Sequence, residues 1–251
     1  MALLLTGALF FAWGVLTQKY RIFPHAYVSR IIHPSPGASQ FKDTKKRDTL
    51  WAQKVIKGGY ILHLRHAQRE KWPNAYGFDA YELHEKIAAE KSTFWRATCL
   101  TDQGKEGAKL IKHVFAITGV KVSQVISSPS CRSRQTAMLA FDKIDQIDNS
   151  LLHRVAMVPE QYEMFAKQMR KLIDGLTPPK GANIILSGHN GTIAIDKKLV
   201  IDVDETTAGP ERRRGETGFT VLEKVDGKLI ARHTFSTIAA FANATIKLPA
   251  K

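Results

Sequence analysis

Three short, mostly apolar runs, Tyr60–Leu64, Val122–Ile126 and Asn183–Leu186, each stop at a cluster of polar residues, and stretches of helical periodicity separate them. Short runs of this kind read as strands, and strands alternating with helices require crossovers, the signature of a mainly parallel sheet covered on both faces. The chain is therefore expected to be an α/β protein, a three-layer α/β/α sandwich. An antiparallel edge is predicted at Phe219–Leu222 and Leu229–His233, joined across Val225-Asp226-Gly227-Lys228 with an Asp-Gly turn. Sheets of this class form their sites beyond the carboxyl ends of the strands, so the residues that follow the three runs carry the functional reading.

The intervening helices are legible from their ends. Thr49–Ile56 has apolar residues at helical spacing and is stopped by Gly58-Gly59. Thr101 caps a helix running through Ala108, Leu110, Ile111, Val114 and Phe115 to Gly119, and another helix begins near Cys131. Pro159 stands in the first turn of a helix ending near Gly175. Arg69–Phe94, long, charged and aromatic, reads as an excursion over the site.

At the N-terminus, Ala2–Leu16 is apolar but for Thr6, and no charge appears before Lys19. The predicted organisation is a membrane anchor or signal segment over 1–20, a linker over 21–42 containing His33-Pro34-Ser35-Pro36, and a catalytic domain over 43–251. Lys19, Arg21 and Arg30 on its C-terminal flank lean the domain towards the cytoplasm.

A length of 251 residues suits one sizeable core, and 44% hydrophobic with 24% charged residues excludes a mainly disordered chain. With 37 Lys and Arg against 23 Asp and Glu, the net charge of +14 suits phosphorylated substrates, an anionic membrane surface or nucleic acid. Nucleic acid is disfavoured because no basic stripe is interleaved with aromatic residues. Two cysteines, Cys99 and Cys131, are too few for a Cys-rich zinc site, and whether they pair is left open by spacing alone. The sequence carries no signal of oligomeric state.

The three strands deliver Arg65 and His66, then Arg132 beyond the turn Ser127-Ser128-Pro129, then His189. A neutral imidazole is a competent nucleophile towards phosphorus near neutral pH, and His66 is the chosen nucleophile. Arg65 and Arg132 offer guanidinium forks to phosphoryl oxygens, with a protonated His189 stabilising the same oxygens. Such a cluster makes a metal or other cofactor unnecessary. His63 and His66 have metal-pair spacing, but on a strand they face opposite sides. Asn190 either holds the His189 loop or touches substrate. Arg134 is expected to face away from the target of Arg132 or to pair with a surface acid, and Arg212–Arg214 to lie in solvent. No role is assigned to His113, His153 or His233.

These residues carry a resemblance. Leu64-Arg65-His66-Ala67 resembles the Arg-His-Gly signature of the histidine phosphatase superfamily, with Ala67 at the glycine position. The run from Ser127 to Ala137 is similar to the second motif of that superfamily, with Arg132 on its phosphate-binding arginine, and Ser187-Gly188-His189-Asn190 is similar to the motif of its second histidine. The likeness spans roughly residues 57 to 235. Ala67 and Cys99-Leu100-Thr101 with Gly104 and Gly107 resemble a branch of lipopolysaccharide core heptose-phosphate phosphatases.

The resemblance implies metal-independent hydrolysis of a phosphate monoester through a phosphohistidine, on a phosphosugar or phosphorylated glycolipid, with the domain in the periplasm or outside the cell. It also implies an acidic residue after the second-motif helix, which selects Glu160, with Glu163 one turn on and Glu216 as further candidates for the acid. The rival readings are a phosphomutase of the same fold and a non-catalytic, membrane-associated anion-binding module.

Overall fold

The structure, a computed structural model, describes residues 38–70, 91, 95–153, 162–190, 192, 202–203 and 214–246. The chain divides into two compact units, Met1–Lys46 and Arg47–Lys251. The second carries a seven-stranded sheet whose strands are β1 (Ile61–Arg65), β2 (Val122–Ser127), β3 (Gln146–Ile147), β4 (Asn183–Gly188), β5 (Asp202–Val203), β6 (Phe219–Val225) and β7 (Lys228–Phe235). Their spatial order is β3-β2-β4-β1-β6-β7-β5. β1, β2, β3 and β4 run parallel to their neighbours in this half, β6 is antiparallel to both β1 and β7, and β5 pairs parallel with β7.

Side-chain alternation along the strands separates two apolar faces. Leu62 and Leu64 of β1, Val125 of β2 and Ile185 of β4 point into one core, whereas Ile61, Ile126, Ile184 and Leu186 point into the other. The first core is covered by the part of helix α1 (Ala38–Lys57) that follows Lys46 and by helices α2 (Asp102–Thr118), α3 (Cys131–Phe141) and α5 (Ile238–Thr245), which contribute Trp51, Phe115, Ala137 and Phe241 among others. The second is covered by α4 (Tyr162–Gly175) through Met169, Leu172 and Ile173. This is the expected three-layer α/β/α sandwich.

Local signals set the element ends. Thr101 caps α2 by accepting the Gly104 amide at 3.0 Å, and Gly119 closes the helix in the left-handed conformation. The β6–β7 hairpin turns through Asp226 and Gly227 at φ 50° and 75°, the two positive φ values that a two-residue type I′ turn requires. Leu110, within the apolar run of α2, is half exposed, because the interior stripe runs through Ala108, Ile111, Val114 and Phe115. The short strands β3 and β5 and the terminal helix α5 are additions to the expected set.

The membrane placement is corrected. Among the described residues no helix is long and apolar enough to cross a membrane. The longest, α1 with 20 residues, carries Lys45, Lys46 and Arg47 together in its middle. The apolar run Ala2–Leu16 and the Pro-containing stretch after it lie outside the described residues, as do most of the excursion Arg69–Phe94 and Pro159.

Two covalent and steric constraints hold α2 and α3 against the end of β1. Cys99 and Cys131 form a buried disulfide, which ties the segment before α2 to the first residue of α3. Gly104 rests so closely on the loop after β1 that a Cβ there would stand 1.9 Å from the Gln68 carbonyl oxygen. Gly104→Ala is expected to lower stability by about 1–3 kcal/mol, the usual cost of overpacking, measured by urea unfolding. Cys99→Ser with Cys131→Ser is expected to cost about 3–4 kcal/mol from loop entropy, and dithiothreitol added to the wild type should reproduce that loss.

Candidate active site

Hydrogen-bonded register brings three strand ends to one place. Arg65 at the end of β1 stands opposite Gly188 of β4, and Ser127 at the end of β2 stands opposite Ser187. The chain continues this contact beyond the strands, since the His66 amide donates to the Gly188 carbonyl at 3.1 Å and the Ser128 amide to the Ser187 carbonyl at 2.8 Å. His66, Ser128 and His189 therefore meet at one edge of the sheet. Arg132 reaches the same edge from the first turn of α3 and is fully buried.

The hydrogen bonds settle both tautomers. Nδ1 of His66 lies 2.7 Å from the Ala67 carbonyl oxygen, which can only accept, so Nδ1 carries the proton and Nε2 holds the lone pair. Arg132 can only donate, so its Nη2 gives a hydrogen bond to Nδ1 of His189 at 3.4 Å. His189 Nε2 then bears the proton and donates towards Ser128 Oγ and Ser130 Oγ, each at 3.2 Å. The His66 and His189 rings meet edge to face with centroids 5.2 Å apart. Burial first, and then the Arg132 guanidinium, hold both imidazoles well below their ordinary value, so both are neutral at pH 7.

The second motif is explained by its contacts. Thr136 Oγ1 accepts the Ala67 amide at 3.0 Å and donates to the Arg132 carbonyl at 2.7 Å, which couples the turn after β1 to α3. Gln135 Oε1 accepts the Leu100 amide, and Ser187 Oγ donates to the Ser133 carbonyl. Ser130 precedes α3 without capping it; its hydroxyl is turned to Ser133 and His189 instead. The amides at the start of α3 thus join Arg132 in making this edge electropositive. Arg134 donates from Nε to the Pro129 carbonyl at 2.8 Å and so stabilises the turn.

Arg214 departs from its expected solvated position. Its Nη1 donates to the His63 carbonyl at 2.7 Å and its Nη2 to the His189 carbonyl at 3.4 Å, so its guanidinium clamps β1 to the residue following β4. Its own carbonyl accepts Arg65 Nη1 at 2.7 Å and Asn190 Nδ2 at 3.0 Å. Asn190 therefore holds the loop. Burial, then repulsion by Arg65, bring the Arg214 guanidinium down to about 10, still protonated at pH 7. No sequence motif marked this contact, because it joins residues about 150 positions apart.

His153, assigned no role from sequence, also stands at the site, its ring 5.5 Å from that of His189. Of the candidate acids, Glu160 lies outside the described residues and Glu163 is exposed on the first turn of α4. Glu216 is half buried beside Thr217, whose amide donates to the His66 carbonyl at 3.4 Å. Among the described residues no group of three His, Cys, Asp or Glu side chains is arranged to hold a metal ion.

No protein-family model and no curated protein matches the chain. Among solved structures, the protein histidine phosphatase SixA complexed with tungstate is similar at 11% identity, over 70% of this chain and 96% of that one, with a TM-score of 0.44. A mycobacterial glucosyl-3-phosphoglycerate phosphatase complexed with VO3 is 15% identical over 71% and 99% of the two chains, with a TM-score of 0.45. The Entamoeba histolytica phosphoserine phosphatase in complex with 3-phosphoglyceric acid is 14% identical over 71% and 97%, with a TM-score of 0.43. These are distant likenesses, and the chemistry of the site rests on its own geometry.

The buried neutral imidazoles make the fold acid-sensitive. An unfolded chain takes up protons on its histidines near pH 6.5, whereas the folded chain protonates His153 only at about 4, and His63, His66 and His189 well below their ordinary value. The unfolded state thus binds more protons in this window, so stability is greatest above pH 6.5 and is lost as pH falls towards 4. Urea unfolding between pH 7 and 4 should show that decline, with His153→Gln reducing its slope by at most about 1.4 kcal/mol per pH unit. Arg214→Ala leaves the His63 and His189 carbonyls without this donor and is expected to cost about 1–3 kcal/mol at pH 7.

Proposed function

We propose that the protein is a phosphatase that hydrolyses phosphate monoesters through a phosphohistidine on His66. The observation that carries this reading is the state of that side chain: a buried imidazole with its Nδ1 proton fixed on the Ala67 carbonyl, its Nε2 lone pair available, and Arg132 and His189 beside it. An imidazole kept neutral well into mild acid stays nucleophilic over the whole physiological range.

In the first step Nε2 of His66 attacks phosphorus; the N–P bond forms, the P–O bond to the alcohol breaks, and a carboxylic acid protonates the departing oxygen. Arg65, Arg132 and His189 bind the equatorial oxygens, on which negative charge concentrates as the phosphoryl group transfers. A phosphate dianion drawn against Nδ1 of His189 offsets the repulsion by Arg132 and favours protonation there, turning an acceptor into a donor. In the second step water attacks phosphorus, the carboxylate takes its proton, the N–P bond breaks and inorganic phosphate leaves. Glu160 is the proposed acid, by its place in the sequence after α3, with Glu163 and Glu216 as its competitors. Phosphosugars are the proposed substrate class, on the resemblance of Arg65-His66-Ala67 and Cys99-Leu100-Thr101.

The test is hydrolysis of p-nitrophenyl phosphate by the full chain in EDTA. His66→Ala is expected to abolish turnover and Arg132→Ala to lower kcat/KM by at least a hundredfold. Of the Gln variants of Glu160, Glu163 and Glu216, only the first should lose the acid function, seen as a fall in kcat that is steep for alkyl phosphates and shallow for the nitrophenyl ester, whose leaving group needs no proton. Turnover undiminished in His66→Ala would refute the mechanism.

A further inference from the structure

Ser130 stands where a helix cap belongs and does not act as one. It precedes α3 with the extended backbone of an N-cap residue, at φ −61° and ψ 139°, yet its side chain accepts no amide of the helix. Serine at such a position normally stabilises the helix through that bond. Here the buried hydroxyl is turned to His189 Nε2 at 3.2 Å and to Ser133 Oγ at 3.0 Å.

The hydroxyl protons around Ser130 run in one direction. Ser128 Oγ donates to Ser130 Oγ at 3.5 Å, and Ser130 Oγ donates to Ser133 Oγ at 3.0 Å. A serine hydroxyl has one proton and two lone pairs, so a Ser130 proton placed on Ser133 leaves the lone pairs for Ser128 and His189. Ser130 is then an acceptor towards His189 and cannot be a donor. All three serines are buried, where such hydrogen bonds are electrostatically stronger than in water.

The phosphatase reading asks His189 to take a second proton when a phosphate dianion arrives, and its surroundings oppose that. Burial first, then Arg132, His66, His153 and His63, all disfavour the charged ring, and Arg214 donates to the carbonyl of the same residue. Acceptors on Nε2 act the other way, because a hydrogen bond to the charged form favours it.

Building on that reading, we propose that Ser130 is a positioning residue for His189. Locked as an acceptor by Ser133, it keeps the imidazole proton on Nε2, so that Nδ1 is the nitrogen that meets the phosphoryl group and takes up the second proton from solvent. Ser130 touches neither the substrate nor the reacting atoms and acts through His189.

The experiment is NMR of the full chain labelled with ring-15N histidine and titrated with sulfate, a tetrahedral dianion that does not itself titrate near neutral pH. The His189 signals are assigned with His189→Gln. In the wild type the proton is expected on Nε2 alone without sulfate, and on both nitrogens with saturating sulfate at pH 7. In Ser130→Ala the pH midpoint of His189 protonation in the sulfate complex should fall by about one unit, a tenfold change in that equilibrium, and sulfate should bind at least threefold more weakly at pH 7. Ser130→Thr, which restores a hydroxyl, should return the midpoint towards the wild-type value. In Ser133→Ala the freed Ser130 proton can turn to Nε2, so part of the His189 population should carry its proton on Nδ1. Ser150→Ala, which removes a buried hydroxyl bonded to Asp148, should change none of this. Absence of a sulfate response at His189 in the wild type, wild-type spectra in both Ser130→Ala and Ser133→Ala, or the same changes in Ser150→Ala would overturn the proposal. A Ser130→Thr protein that melts like the wild type but keeps the alanine midpoint does so too.

Hydrolysis of p-nitrophenyl phosphate separates the two readings. Turnover lost in His66→Ala, with His189 unchanged in the serine variants, removes the positioning role and leaves the phosphatase. Turnover undiminished in His66→Ala, with His189 altered as expected, leaves the hydroxyl chain and removes the phosphohistidine.

Discussion

The parallel pairing of β1 and β2 on either side of β4 is the constraint on which the rest depends. Its register sets Arg65 against Gly188 and Ser127 against Ser187, and the three chains leave the sheet at the same level. Each exit then carries a polar group: the Arg65-His66 pair, the Ser128 turn into α3, and His189. Parallel strands end together only when long crossovers return the chain to the same edge, and the covering helices are those crossovers. A slip of one residue in β1 would turn Leu62 and Leu64 out of their core, so the apolar packing that stabilises the sheet also fixes where the imidazoles stand.

The chemistry of the edge follows from burial. Arg132 is a fully buried guanidinium, and burial of a charge is tolerated where hydrogen-bond acceptors or an arriving anion meet it. His66 and His189 respond to the same environment by remaining neutral. His66 has one ring nitrogen and His189 has both committed to defined partners, which fixes ring orientation as well as proton position. A cluster built this way is held in place by the protein's own hydrogen bonds. Arg214 and Thr136 sit behind it, one joining β1 to the His189 loop and the other joining the turn after His66 to α3.

The strand ends and helix caps were readable because their causes are local. Thr101, Gly119 and the Asp226-Gly227 turn act through φ, ψ and hydrogen bonds within a few residues. β3 and β5, two residues each, were not readable, since two residues have no periodicity. The exposure of Leu110 was not readable either, because it adjoins the interior stripe of an amphipathic helix, where a rotation of one position decides between core and solvent. His153 and Arg214 escaped notice for another reason: their partners are defined by where the sheet brings distant segments together.

The sequence by itself determined the α/β class, the strands that end at the site, and the identity of Arg65, His66, Arg132 and His189 as the residues to watch. Composition, spacing and capping are properties of short stretches, and short stretches carry them intact. Tertiary structure alone decided that Cys99 and Cys131 join, that Arg214 is a clamp and not a surface charge, and that a third imidazole stands beside the other two. These are relations between segments far apart along the chain, and only the packing of the sheet and its helices sets the distances that create them.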